Sequence, residues 1–221
     1  MGKMGIFGGT FDPVHWGHLL IAQSALSQMG LEQVIWVPNY PHYKQASPFE
    51  HRLEMVARAI ASNPAFTIFS SPDDRSTGSY AIQTLIELQA AYPNTDWYWI
   101  LGLDTFQTLP GWYRRQEIAT ACNWIVAPRL GSIVQNEAAI APNHSAGEFV
   151  AQQLAAQGID IKWQVLQMPI IGVSSSLIRQ YCCTSHSIRY LVAEPVRIYI
   201  ATHNLYTEER GVRGTWGSQY R

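Results

Sequence analysis

What most limits the fold of this 221-residue chain is an alternation. Short apolar, β-rich runs recur at 4–7, 34–37, 66–69, 97–101, 124–127 and 161–166. Between them lie stretches with helical spacing, at 17–29, 49–61, 80–91, 114–121 and 146–157. Strands alternating with helices build βαβ units, so the expected fold is α/β: a Rossmann-like, doubly wound parallel sheet with helices on both faces. Such sheets take ligands beyond the carboxyl ends of their strands, near the switch point in strand order. After Met168 the pattern changes to two helices, 174–182 and 195–206, the second carrying Val196, Tyr199, Ile200 and His203 on one face and Pro195 at its start. The stretch 128–144, with Gly131, Asn136, Pro142 and Asn143, reads as a surface loop or irregular insertion. Without a repeat or internal linker, residues 1–206 form one expected domain, 173–206 its small helical C-terminal part, and the polar, glycine-rich 207–221 a flexible tail.

Composition narrows the partners. Lysine and arginine number 15 against 16 acidic residues, a net charge of -1, so bulk electrostatics gives no reason for a nucleic-acid or anionic-membrane partner. No apolar run approaches the length of a membrane span. Cys122, Cys182 and Cys183 form no CxxC pair and are too few for a disulfide scaffold, which suits a reducing, cytoplasmic setting.

The strongest local signal runs from Gly8 to His18, Gly-Gly-Thr-Phe-Asp-Pro-Val-His-Trp-Gly-His, after the first strand and into the first helix. Glycines there let the chain turn sharply and bring N–H groups close to an anion, and a helix N-terminus attracts phosphate. His15 and His18 add imidazole donors, and His18 could carry positive charge beside an anion. A tight turn with filler histidines is the plainer reading. Zinc is another, but no third and fourth ligand stands at a convincing spacing. Walker A and GxGxxG sequences are missing, so phosphate binding takes another route. The second signal is Val173-Ser174-Ser175-Ser176-Leu177-Ile178-Arg179. A serine can simply cap the helix, yet Arg179 follows Ser176 by three and Ser175 by four and shares their face. Hydroxyls, N–H groups and a guanidinium on one face suit a triphosphate.

The first stretch resembles the extended (H/T)xGH motif, and the second the ISSTxIR motif, of the nucleotidyltransferase α/β-phosphodiesterase superfamily. Within it the chain is most similar to the bacterial nicotinate-nucleotide adenylyltransferase family. The likeness continues through Val37-Pro38-Asn39-Tyr40-Pro41-His42-Tyr43-Lys44, Arg52-Leu53-Glu54-Met55-Val56, Ser79-Tyr80-Ala81-Ile82-Gln83-Thr84-Leu85, Ile100-Leu101-Gly102-Leu103-Asp104-Thr105, Leu109-Pro110-Gly111-Trp112 and the terminal helix. The resemblance implies ATP as co-substrate, nicotinate mononucleotide as acceptor, magnesium carried on the ATP phosphates without a protein ligand, and deamido-NAD with pyrophosphate as products. By the same resemblance, Gly8, Gly9, Thr10 and Phe11 pass close to the nucleotides, and His15 and His18 hold the ATP phosphates. Ser175, Ser176 and Arg179 grip the future pyrophosphate, Gly102 and Asp104 sit against adenosine, and Lys44 neutralises phosphate. Tyr80, Ala81, Thr84, Trp112 and Tyr113 form the acceptor site, with Trp112 on the pyridine ring and N–H groups near Ala81 and Tyr113 on the carboxylate. Each residue also has a plain structural role: Asp104 as a helix cap, Trp112 as core, Lys44 as a surface charge, Arg52 as an exposed helix-face arginine, Ser79 as a helix start.

The chain departs from the family at Ala81, Gln83, Leu103 and Ser176. Because Ala81 offers no hydroxyl, reading of the acid rests on main-chain donors, and use of the amide mononucleotide, or of both, stays open. No nucleophile–base–orienter set is visible, so direct in-line attack on the α-phosphate is expected. The rival readings are another adenylyl- or cytidylyltransferase of this fold, such as phosphopantetheine adenylyltransferase, and a nucleotide sensor without turnover. Association into a homo-oligomer is left open.

Overall fold

The computed structural model describes residues 2–39, 46–70, 81–128, 140–169 and 171–207, apart from the side chains of 140–143. Six parallel strands, β1 (Gly2–Gly9), β2 (Gln33–Pro38), β3 (Phe66–Ile68), β4 (Thr95–Gly102), β5 (Asn123–Ala127) and β6 (Lys162–Val165), form one sheet in the order β3-β2-β1-β4-β5-β6. Helices α1 (Trp16–Met29), α2 (Phe49–Ile60), α3 (Ala81–Ala91), α4 (Leu103–Phe106), α5 (Arg115–Ala121) and α6 (Ile140–Ala155) lie within the strand sequence, and α7 (Ser175–Cys183) and α8 (Glu194–Thr202) follow it.

Strand side chains alternate between two cores, as the two-residue period of a strand demands. Phe7, Val34, Trp36, Ile100 and Ile125 pack to one face with Ala22, Met55, Val56, Ile178, Val196 and Ile200 from α1, α2, α7 and α8. Ile6, Ile35, Trp99, Leu101, Trp124 and Val126 pack to the other with Leu85, Leu88, Phe106, Ile118, Val150 and Leu154. The C-terminal helices therefore complete one layer of the sandwich instead of standing apart. Strand order reverses between β1 and β4, and Phe7 pairs with Ile100, so Gly8–Gly9 and Gly102 end side by side at the switch point.

Two expectations are corrected. Residues 140–144 are not loop: α6 begins at Ile140, with Pro142 in its first turn, where a missing N–H costs no helix bond. The last helix stops at Thr202, because Asn204 and Tyr206 adopt left-handed backbone that no helix continues through. Between β4 and α5 the chain forms α4 and a 3-10 turn, Leu109–Gly111, where the sequence showed no helical period long enough to read. Residues 129–139 and 208–221 lie outside the described residues.

Candidate active site

The loop after β1 is shaped by its own side chains. A Cβ on Gly9 would stand 2.8 Å from the Phe11 ring, so glycine there is what lets Phe11 fold back at φ 48 into the core. Phe11 is 2% exposed and packs against Phe7, Trp36 and His18. Its ring packs edge-on against the His18 ring. A Cβ on Gly8 would meet nothing within 4 Å and would enter the crevice.

His15 is the N-cap of α1. Its Nδ1 accepts from the Gly17 N–H at 3.1 Å, and His18 Nδ1 accepts from the His15 N–H at 3.2 Å. Gly17 is needed because its Cβ would lie 2.9 Å from the His15 ring. The two rings stack with centroids 3.8 Å apart. With each Nδ1 accepting, the neutral tautomer carries its proton on Nε2, so both rings are Nε2–H donors. Burial pushes His15 down to about 4, and burial with the neighbouring His15 holds His18 well below the usual range. Positive charge on His18 is therefore not its resting state; an incoming anion favours its protonation.

Side chains distant in sequence hold this loop from behind. Arg52, expected on an exposed helix face, is 1% exposed. Its Nη1 donates to Thr10 O at 2.7 Å and Asn39 O at 2.9 Å, and its Nε to Ser47 O at 3.0 Å, tying the ends of β1 and β2 to the start of α2. The α7 N-terminus docks on the same loop. Ser174 caps it through Leu177 N, Ser175 Oγ donates to Pro13 O at 2.9 Å, and Arg179 donates to Asp12 O at 2.6 Å and to Ser176 Oγ at 3.3 Å. The N-termini of α1 and α7 thus converge, bringing His15, His18, Ser175, Ser176 and Arg179 to one end of the crevice.

At its other end lies a cavity of about 310 Å³ lined by Gly8, Val37, Asn39, Ala81, Thr84, Trp99, Leu101, Thr105, Trp112 and Tyr113. Trp112 is fixed by Nε1 donating to Thr108 Oγ1 at 2.9 Å and by edge contacts with Trp99 and Trp124. Tyr113 stands 62% exposed. Gly102 and Asp104 are exposed beside this cavity; the N-cap of α4 is Gly102, so Asp104 is not that helix's cap. Lys44 and Tyr80 lie outside the described residues. Sequence reasoning missed Val37, Trp99, Leu101 and Thr105 as walls. Their place at the carboxyl ends of β2 and β4 was a usable signal, whereas the roles of Arg52, Asp12 and Tyr206 depend on partners distant in sequence and left no local mark. Among the described residues no three His, Cys, Asp or Glu gather as a metal site, and no helix is long and apolar enough to cross a membrane.

The crevice can hold a polyphosphate against N–H and guanidinium donors and a flat ring against tryptophan. The cytidylyltransferase-like family model matches residues 6–181. A protein of Trichormus variabilis named "Probable nicotinate-nucleotide adenylyltransferase" is 55% identical over 95% of this chain and 99% of its own. One of the same name from Geobacter metallireducens is 36% identical over 94% and 100%. The solved structure titled Plasmodium falciparum nicotinic acid mononucleotide adenylyltransferase complexed with NaAD shares the fold, with TM-score 0.71 and 18% identity over 93% of this chain and 98% of that one. On these likenesses the chain belongs to the cytidylyltransferase-like family and, within it, to the nicotinate-nucleotide adenylyltransferases.

Proposed function

We propose that this chain joins the AMP moiety of ATP to nicotinate mononucleotide, giving deamido-NAD and pyrophosphate in NAD biosynthesis. The observation that carries the reading is the crevice itself: imidazole and guanidinium donors at one end, a tryptophan-walled cavity at the other, and Gly8 between them without a side chain.

The mononucleotide phosphate is already anionic and needs no general base, so catalysis here is positioning plus electrostatic stabilisation. The His15 and His18 Nε2–H groups donate to the ATP phosphates, His18 at the α-phosphate, where charge grows as the new bond forms. Arg179 and Ser176 hold the departing pyrophosphate. The Ser175 hydroxyl is committed to Pro13, which leaves that residue's main chain for phosphate. Lys44 adds charge from its own segment. Asp104 takes a ribose hydroxyl beside Gly102. Trp112 stacks on the pyridine, and N–H groups near Ala81 and Tyr113 read the carboxylate. Thr84, buried in the cavity wall, shapes that pocket, with Tyr80 preceding it. Magnesium enters as part of the ATP substrate; Asp12, the carboxylate within the loop, is already held by protein donors and is a poor ligand for it. A reducing, cytoplasmic setting suits a chain of three cysteines with no CxxC pair.

The test is pyrophosphate release from ATP with nicotinate and nicotinamide mononucleotides side by side, products identified by mass. Preference for the acid is expected, since two N–H donors match a carboxylate and leave an amide's own donor unpaired. Preference for the amide would overturn the pocket assignment, and turnover with neither would overturn the activity.

A further inference from the structure

Behind the anion loop sits a buried carboxylate that the reaction does not use. One oxygen of Asp12 accepts from the Tyr206 hydroxyl at 2.8 Å. The other accepts from the Ser47 N–H at 3.3 Å and lies 4.0 Å from Arg179 Nη1. That same Nη1 donates instead to the main-chain carbonyl of Asp12, at 2.6 Å. Tyr206 reaches Asp12 across 194 residues of sequence. Its backbone is left-handed, φ 64, a conformation a bulky residue keeps only when its surroundings hold it. Leu205 is buried beside it, and the Cys183 thiol donates to its carbonyl at 3.0 Å, tying it to α7, the helix of Arg179. Burial and the Asp12 charge hold the phenol well above its usual range, so it remains a donor.

A guanidinium 4 Å from a buried carboxylate is drawn into a closer pair unless other donors satisfy that carboxylate. The geometry points to Tyr206 as a positioning residue for adenylyl transfer: by donating to Asp12 it keeps Arg179 on the Asp12 carbonyl and Ser176, turned to the ATP phosphates, rather than on the carboxylate. This rests on the reading of Arg179 as a phosphate ligand.

Calorimetric titration of the full chain with magnesium–ATP tests it without relying on turnover, in a double-mutant cycle. Tyr206→Phe is expected to weaken ATP about tenfold in the parent, and less than about twofold in an Arg179→Ala background, because the residue it acts through is gone. Adding Asp12→Asn to Tyr206→Phe removes the charge that draws the guanidinium, and is expected to bring affinity back to within about threefold of the parent. In assays, the KM for nicotinate mononucleotide stays within about twofold. Equal losses in both backgrounds, failure of Asp12→Asn to rescue, or no loss from Tyr206→Phe would each overturn the proposal. So would unweakened ATP binding by Arg179→Ala. A protein that binds ATP but leaves nicotinate mononucleotide unused would fail the activity reading while this cycle still gave its answer.

Discussion

At one end of the crevice side chains hold the backbone in place; at the other, backbone and aromatic rings form the walls. Around the loop of residues 8–18, Arg52, Asp12, Ser175 and Arg179 fix carbonyls and the helix starts from behind, and the His15 and His18 rings are locked by the main-chain N–H groups of Gly17 and His15. The cavity of Trp99 and Trp112 has few polar side chains, and Tyr113 stands open at its edge. The contrast follows the ligands. Transferring a phosphoryl group requires donors that are aligned before the reaction begins. Recognising a flat ring needs area and one or two donors for its substituent. Damage to the first end should therefore appear in kcat or in stability, and damage to the second in the acceptor's KM.

The largest expected effect breaks the comparison at its catalytic end. His18→Ala should lower kcat by about a thousandfold while weakening ATP binding less than about fivefold. Steady-state kinetics with ATP titrations check this, and matching losses in both would deny His18 a transition-state role. Arg52→Met comes next. It strands three carbonyls and should cost about 3 kcal/mol in denaturant unfolding, far more than an exposed helix arginine would.

Acid sharpens the same contrast. His15, held down to about 4 from an ordinary value of 6.5, stays neutral in the fold while the unfolded chain takes up a proton. Its contribution is thus present above pH 6.5 and is lost as pH falls toward 4, about 2 kcal/mol between pH 7 and pH 5. Unfolding curves at those two pH values should show that loss in the wild type and a smaller one in His15→Gln. ATP, which favours the charged imidazole, should reduce it. The smallest expected effect lies at the ring end. Trp112→Ala should raise the KM for nicotinate mononucleotide about tenfold and leave ATP binding within about twofold.

The sheet was legible because a parallel strand buried on both faces needs an apolar run, and all six runs became strands within a few residues. The phosphate end was legible because its residues are consecutive: the loop of residues 8–18 and the helix start of 174–179 each carry their chemistry in one stretch. Arg52 was misread because nothing in a helix sequence tells a solvated arginine from one that finds three carbonyls. Tyr206 could not be read at all, since its partner lies at the opposite end of the chain. That the Phe11 ring belongs to the core was not legible, because its motif draws attention to ligand rather than to packing. The 3-10 turn escaped notice, and α4 entered only through Asp104 as a possible cap, because three or four residues show no period.

The central claim is direct transfer in a crevice that positions both substrates. Its most direct measurement uses ATP labelled at the α-phosphate with the protein in excess, before and after adding nicotinate mononucleotide. The label should stay in ATP until the mononucleotide is present, then pass to deamido-NAD with one pyrophosphate per product and none left on the protein. Label retained on the chain with ATP alone, or no transfer once the mononucleotide is added, would contradict the account.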